Sequence, residues 1–130
     1  MAQVFDGITV LDFTRGMPGG IATMVMSDFG AEVIKVEAPS EEKFRKSPGA
    51  IQWNRGKKSI ILDLKTPQGR EKAHKLARLS DVVIESFRPG VTRRLGIDYA
   101  NLGADHPELV YASLTGFGAQ GPYANYKGYD

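Results

Sequence analysis

The stretch DVVIESFRPGVTRRLG, residues 81–96, decides the fold that this sequence predicts. It is typical of a buried strand, followed by a tight Arg88-Pro89-Gly90 turn and a short basic helical turn. Pro89 fixes the backbone after Arg88, and Gly90 permits a ligand to approach closely. Arg94 lies one helical turn further on, so the planar donor groups of Arg88 and Arg94 could bind phosphate together. A solvated basic face is the alternative that these residues leave open.

Apolar runs and helical segments alternate on both sides of this stretch. The predicted strands are residues 8–13, 32–37, 59–64, 81–85 and 109–114. The predicted helices are residues 20–29, 66–79 (with Thr66 as N-cap and Pro67 in the first turn) and 99–102. This alternation predicts an α/β fold with an open, mostly parallel, doubly wound sheet and helices on both faces.

Residues 20–29 place Ile21, Val25 and Phe29 four apart, with Ala22 and Met26 beside them, and so predict a helix face.

Two other segments lack a regular period. Residues 38–58 predict a long excursion over the strand ends, with a helical turn at most. Its basic side chains are expected to be solvated, with a cover over a 3′-phosphate as the alternative. Residues 116–130 predict a glycine- and tyrosine-rich loop. Because a functional loop needs a rigid element on each side, we expect the chain to be the front part of a longer polypeptide.

Composition excludes several classes of protein. At 130 residues the chain is long enough for one domain, and its apolar (42%) and charged (25%) fractions are those of a soluble globular protein. No apolar run approaches the roughly 20 residues that cross a bilayer, so no membrane association is expected. A net charge of +2 is too small to indicate nucleic acid, and the absence of cysteine fits a cytoplasmic protein.

Ligands of open α/β sheets bind beyond the carboxyl ends of the strands. At the first of these ends, residues 15–20 form a glycine-rich strand-to-helix turn that could receive an anion, or could be an ordinary tight connection. Glu37 lies about 20 residues further on, as a ribose ligand would in a dinucleotide fingerprint. However, the glycines do not have the GxGxxG spacing, so an NAD(P)-binding oxidoreductase remains only an alternative.

Few residues are candidates for acid–base chemistry. His74 lies in a charged helix and His106 precedes a proline, so surface roles are expected for both. Asp12 and Asp63 lie inside apolar runs and are predicted to anchor neighbouring loops. The sequence contains no Ser-His-Asp constellation and no metal-ligand spacing.

Five motifs in order resemble a known family. They are DGITVLDF (6–13), GAEVIKVE (30–37), NRGKKSIILDLKTP (54–67), FRPGV (87–91) and LTGFG (114–118). Together they are similar to the N-terminal part of the class III CoA-transferases, the group that contains formyl-CoA transferase and α-methylacyl-CoA racemase. The resemblance covers essentially the whole chain.

The resemblance implies a Rossmann-like large domain that binds coenzyme A or acyl-CoA as substrate without a metal. Residues 1–130 would form its N-terminal part, with the rest of this domain and a second domain outside the chain. It implies reversible CoA transfer between carboxylic acids through an aspartyl anhydride and thioester, and a homodimer of interlinked chains. The family nucleophile is an aspartate beyond Asp130, so no residue of 1–130 is assigned as catalytic.

The resemblance also implies site residues. Leu62, Asp63, Leu64 and Lys65 would lie against the adenine and ribose, Ser86, Phe87 and Arg88 would line the nucleotide, and Arg94 would bind phosphate. Lys127, Gly128, Tyr129 and Asp130 would border the thioester end, and Met17 and Pro18 would face the acyl group.

Two positions depart from the family pattern. Ala38 stands where relatives often carry a nucleotide-binding arginine. Tyr129 stands where racemases carry a proton-transferring histidine, and a tyrosine is too weak a base for that role near neutral pH. Racemase activity is therefore disfavoured. A non-catalytic half-protein that pairs with a separate chain remains a further alternative.

Overall fold

The computed structural model of the protein describes residues 1–128. Its strands are β1 (Thr9–Asp12), β2 (Glu32–Glu37), β3 (Lys58–Ile61), β4 (Val82–Glu85) and β5 (Val110–Ser113). Its helices are α1 (Met17–Asp28), α2 (Glu42–Arg45), α3 (Pro48–Trp53), α4 (Pro67–Arg78), α5 (Val91–Leu95) and α6 (Tyr99–Leu102). A 3-10 turn, Pro39–Glu41, precedes α2.

The five strands form one sheet in the order β3-β2-β1-β4-β5, and all four pairings are parallel. This is the strand order of a Rossmann sheet, in which chain direction across the sheet reverses between β1 and β4. Each crossover contains a helix, as parallel pairing requires. The predicted α/β fold with a parallel sheet is therefore confirmed.

Two apolar layers cover the two faces of the sheet. One contains Leu11, Phe13 and Val83, packed with residues of α4, α5 and α6. The other contains Val10, Val33 and Ile84, packed with Ala22 and Met26 of α1. Alternate residues of each central strand enter opposite layers, because successive side chains of a strand point to opposite faces.

The predicted face of α1 is correct only in part. Ala22 and Met26 pack against the sheet as predicted, whereas Ile21, Val25 and Phe29 are 38–51% exposed. The helix is apolar around most of its circumference, so spacing alone did not distinguish the face toward the sheet from the outer one.

The predicted excursion over residues 38–58 contains more structure than expected. It forms the 3-10 turn, α2 and α3. Ser47 caps the N-terminus of α3, because its hydroxyl accepts a hydrogen bond from the Ala50 amide at 3.3 Å. These helices are shorter than the window in which a helical period becomes visible. The ring of Trp53 in α3 lies over Gly20, and thereby fixes the excursion against the first turn of α1.

Neither histidine lies at the carboxyl edge of the sheet. His74 is half-buried in α4, and its Nε2 is 2.7 Å from the Gly96 carbonyl oxygen. His106 is also half-buried, before the β5 strand. The expectation of surface positions is thus only partly met, because both side chains are partly buried and His74 contacts the Gly96 carbonyl.

Candidate ligand crevice at the carboxyl edge of the sheet

Three buried acids end adjacent strands at the edge where a ligand would bind. Asp12, Glu37 and Glu85 are the last residues of β1, β2 and β4, and each is at most 6% exposed. We call them the strand-end carboxylates. Buried carboxylates need hydrogen-bond or charge partners, and here they are amides of the following loops together with side chains from neighbouring strands and helices. The acids therefore determine the shape of the crevice.

Asp12 is the most heavily bonded of the three. Its Oδ1 accepts from the Thr14 amide at 2.8 Å, from the Thr14 hydroxyl at 2.6 Å and from Lys35 Nζ at 3.3 Å. Its Oδ2 accepts from the Thr23 hydroxyl at 2.6 Å and from Lys57 Nζ at 3.2 Å. The prediction that Asp12 anchors a neighbouring loop is confirmed, but its two lysine partners were not foreseen.

The environment of Asp12 favours its ionised form. Burial alone would raise the pKa, but the charges of Lys35 and Lys57 and the hydroxyls of Thr14 and Thr23 outweigh it, so the pKa lies below 3.8. For Lys57, burial lowers the pKa despite the opposing charge of Asp12. The carboxylate thus remains charged in the folded protein at any pH near neutrality.

Acid should therefore destabilise the fold through Asp12. As the pH falls below 3.8, the unfolded chain takes up a proton at this residue before the folded one does, so the free energy of unfolding falls until the lowered folded-state pKa is passed. We expect the pH slope of urea midpoints below about pH 3.8 to be smaller in Asp12→Asn than in the natural protein. Equal slopes in the two proteins would contradict this account of the cluster.

Glu85 fixes the loop after β4, as Asp12 fixes the loop after β1. Its carboxylate accepts from the Phe87 amide at 2.7 Å and from the Ser113 hydroxyl of β5. Phe87 is thereby held beside the guanidinium of Arg15, which lies 5.3 Å from the ring centroid. This cation–π contact joins the loop after β1 to the loop after β4.

Ser86 makes a second connection between the same two loops. Its hydroxyl accepts from the Arg15 amide at 2.7 Å and donates to the Arg15 carbonyl at 3.1 Å. Glu41 holds the Arg15 side chain from the other side, with 2.8 Å between Arg15 Nε and Glu41 Oε1. Arg15 is therefore fixed at the point where the strand order reverses, which is the usual ligand position in such sheets.

A cleft of about 660 Å³ opens between the two loops. This volume is within the range of small-molecule sites. Its walls are residues 15–18, residues 86–89, residues 114–116, Ala124, Tyr126, Lys127 and Gly128. The structure thus brings together seven predicted site residues, namely Met17, Pro18, Ser86, Phe87, Arg88, Lys127 and Gly128.

A smaller pocket adjoins the cleft on the side of β2 and β3. It holds about 70 Å³, is too small to enclose a nucleoside, and could receive only the edge of a ring. Its lining includes five more predicted residues, Ala38, Leu62, Asp63, Leu64 and Lys65. Arg15 and Phe87 line both cavities, so a single elongated ligand could occupy them together.

Asp63 shapes the wall of this smaller pocket. It is exposed, and its carboxylate accepts from the Lys65 amide at 3.0 Å, so it fixes the turn that follows β3. The predicted role of Asp63 as a loop anchor is confirmed.

Arg88 and Arg94 are both exposed, and within residues 1–128 no ion pair involves either of them. Arg88 lines the cleft, whereas Arg94 lines neither cavity, although the next residue, Leu95, lines the smaller pocket. Both guanidinium groups are available to an anion. The predictions for Tyr129 and Asp130 lie outside the described residues.

The far wall of the cleft depends on a close contact between two glycines. A β-carbon added to Gly116 would lie 2.4 Å from the Gly128 Cα, so the backbone comes back on itself there. The rings of Phe117, Tyr123 and Tyr126 cluster within this loop, with centroids 5.3–6.5 Å apart. The loop of residues 116–128 is thus closed at its base and packed by its own aromatic side chains.

Sequence reasoning missed Arg15 as an individual site residue and predicted that Lys57 would be solvated. The Lys57 side chain is only 1% exposed, because the excursion carries it under the first turn of α1. Lys57 follows a glycine and precedes the apolar run of β3, and this local sequence does not indicate that its side chain is buried. The atoms that accept its hydrogen bonds lie more than 30 residues away along the chain.

The described residues offer neither a metal centre nor a membrane-spanning helix. Residues 1–128 contain no grouping of three or more His, Asp or Glu side chains arranged to hold a metal ion. Over the same residues, no helix combines the length and apolar character that a membrane crossing needs.

These features define a class: a Rossmann-ordered α/β sheet with a crevice at its strand reversal. Comparison with known proteins is more specific, because the model of CoA-transferase family III matches residues 5–130. The chain belongs to that family.

Individual relatives agree with the family assignment. The chain is 41% identical to the probable fatty acyl-CoA transferase Rv3272 of Mycobacterium tuberculosis, over 99% of this chain and 36% of that protein. It is 40% identical to the succinate–glutarate CoA-transferase of Agrobacterium fabrum, over 96% of this chain and 35% of that protein. A CAIB/BAIF family protein from Brucella suis has a TM-score of 0.91 at 39% identity, over 100% of this chain and 38% of that one. The chain thus spans about a third of the length of the curated relatives that it matches.

Proposed function

We propose that residues 1–130 form the N-terminal part of the coenzyme A-binding domain of an enzyme that moves CoA between carboxylic acids. The observation that carries this proposal is the pair of adjoining cavities joined by Arg15 and Phe87 at the strand reversal. Coenzyme A is elongated and anionic in its middle, which suits two cavities with cationic side chains between them.

The proposed orientation follows from the two linings. The nucleotide lies across the small apolar pocket beside Leu62 and Leu64, and the pyrophosphate meets Arg88, Arg94 and the loop at Arg15. The pantetheine arm then enters the larger cleft toward Lys127 and Gly128, with Met17 and Pro18 beside the acyl group. Tyr129 and Asp130 are proposed to border the thioester.

The chemistry proposed for the full-length protein is covalent. A carboxylate nucleophile attacks the thioester carbonyl, the bond to sulfur breaks, and CoA leaves as the thiolate while a mixed enzyme anhydride forms. The thiolate attacks the enzyme carbonyl of this anhydride, which expels the donor carboxylate and leaves an aspartyl-CoA thioester. The acceptor carboxylate displaces CoA from that thioester to form a second anhydride, and the thiolate then attacks its acyl carbonyl, which releases the new acyl-CoA and the free enzyme carboxylate. None of the acids at the crevice is proposed as this nucleophile, because Asp12, Glu37 and Glu85 are buried and committed to internal partners. Residues 1–130 alone are therefore proposed to be inactive. The full-length protein is proposed to be a cytoplasmic homodimer.

Removing either proposed phosphate-binding arginine should weaken binding of coenzyme A. We expect Arg88→Ala and Arg94→Ala in the full-length protein each to cost about 1–3 kcal/mol, or roughly 5- to 150-fold in Kd, because each deletes a charged hydrogen bond. Isothermal titration with coenzyme A measures the change.

Arg93→Ala is the matched control, since Arg93 is an equally exposed arginine on the same helix next to Arg94. Its Kd should remain within about twofold of that of the natural protein. Unchanged affinity in both Arg88→Ala and Arg94→Ala would remove the phosphate assignment. Tight binding of NADH without binding of coenzyme A would replace the proposal with the oxidoreductase alternative.

A further inference from the structure

The ammonium of Lys57 lies beneath the loop that lines the cleft. It donates to the Thr23 hydroxyl at 2.6 Å, to the Gly20 carbonyl at 3.1 Å and to Asp12 Oδ2 at 3.2 Å. These acceptors supply all three hydrogen bonds that an ammonium can donate. A lysine so completely bonded and buried loses much more side-chain entropy than one at the surface, and this loss needs an offsetting gain.

The acceptors of Lys57 lie on both sides of one short segment. Asp12 ends β1, whereas Gly20 and Thr23 belong to the first turns of α1. Between them lie residues 15–18, all four of which line the cleft. Lys57 therefore ties the two ends of this segment together from below.

The other contacts at the two ends of residues 15–18 are also close, so they cannot readily replace the hydrogen bonds of Lys57. Lys35 Nζ donates to the Thr14 carbonyl and to Asp12 Oδ1. A β-carbon on Gly19 would lie 2.2 Å from the Thr14 Cβ, so the loop and the helix are already in close contact. With Lys57 removed, the buried Gly20 carbonyl and Asp12 Oδ2 each lose a donor, and the lowest-cost response is a shift of residues 15–18.

We propose that Lys57 is a positioning residue for the ligand, acting through residues 15–18 to set the affinity for the thioester arm of the substrate. This inference rests on the proposed function for the identity of the ligand. Lys57 itself does not line the cleft. Its effect is exerted through the position of the backbone at Gly16 and of the side chains of Arg15 and Met17.

The test compares Lys57→Met with Lys58→Met in the full-length protein. Methionine fills a similar volume but donates none of the three hydrogen bonds. Lys58 is the adjacent lysine, exposed and paired with Glu32 at 2.7 Å on the edge of the sheet, so its variant is the matched control. Two readouts are needed, one with substrate and one without.

With substrate, we expect Lys57→Met to raise the KM for an acyl-CoA donor and the Kd for coenzyme A about tenfold, while kcat changes by less than about threefold. Without substrate, hydrogen exchange of amides 14–20 should become faster, with α4 unchanged. Lys58→Met should match the natural protein in both. A role confined to stability would lower the melting temperature but leave the Kd and KM of the folded protein unchanged.

Unchanged Kd, KM and local exchange in folded Lys57→Met would overturn the proposal. If that variant does not fold, Thr23→Ala removes one acceptor of Lys57, and it should raise the Kd about threefold with faster exchange at residues 14–20. Unchanged values in Thr23→Ala would overturn the proposal equally. Failure of the natural protein to bind coenzyme A would instead refute the proposed function, while the exchange result would still decide whether Lys57 holds the loop.

Discussion

Replacing Asp12 with alanine is expected to lower the free energy of unfolding by about 3–5 kcal/mol. The substitution removes the only acid that Lys35 and Lys57 contact as ion pairs within residues 1–128. Both ammonium groups would remain in a site where the Asp12 side chain is 0% exposed. Urea denaturation of the natural and variant proteins measures the difference.

Asp63→Ala is the matched control for Asp12→Ala. Both aspartates follow the apolar part of a strand and accept an amide two residues further on, but Asp63 is exposed and makes no ion pair within residues 1–128. Its loss should cost about 0.5–1.5 kcal/mol, the value of a single hydrogen bond. Similar decreases in the free energy of unfolding in the two variants would show that the ion pairs of Asp12 with Lys35 and Lys57 do not add to its contribution to stability.

Gly69→Ala is expected to lower the free energy of unfolding by about 1–3 kcal/mol, although alanine is the better helix former by about 1 kcal/mol. A β-carbon at this position would lie 1.9 Å from the backbone oxygen of Asp63. That oxygen also accepts from the Thr66 amide at 3.0 Å and from the Thr66 hydroxyl at 2.8 Å, so it cannot move without breaking the start of α4. Thermal unfolding measures the loss.

Gln68→Ala, in the same helical turn, separates the clash from helix propensity. Gln68 is exposed, so alanine there should change stability by less than about 0.5 kcal/mol. Because residues 63–65 line the small pocket, Gly69→Ala should also weaken coenzyme A binding in the full-length protein. A Gly69→Ala protein as stable as Gln68→Ala would show that the turn after β3 can move.

The fold was readily predictable because its strands are short apolar runs separated by clear turn residues. All five predicted strands are present within two or three residues of their expected bounds, and α4 begins at Pro67 behind Thr66 as predicted. The outer face of α1 was not predictable, since exposed Ile21 and buried-side Ala22 are both apolar. What covers an apolar helix depends on tertiary contacts that periodicity does not encode.

The candidate site was predictable where a loop carries its own signal. Residues 88–89 of the Arg-Pro-Gly turn and residues 15–18 of the glycine-rich turn line the cleft. The charged cluster around Asp12 was not predictable, because Lys57 lies in a basic stretch, where lysines usually lie in solvent, and Lys35 lies in a strand with no local signal of its partner. Only the folded chain brings residues 12, 35 and 57 together on three different elements.

Chimaeras with relatives provide a practical use for the strand-end carboxylates. The backbone amides of Thr14 and Phe87 each donate a hydrogen bond to the acid two residues earlier in the chain. A loop transferred from a relative therefore keeps this hydrogen bond only if the transferred segment includes the acid. Transfer of the loop after β1 has a further requirement, because Asp12 also forms ion pairs with Lys35 and Lys57, which lie in two other segments of the chain. The loop at residues 85–90 should therefore be easier to exchange with the fold intact than the loop at residues 12–20.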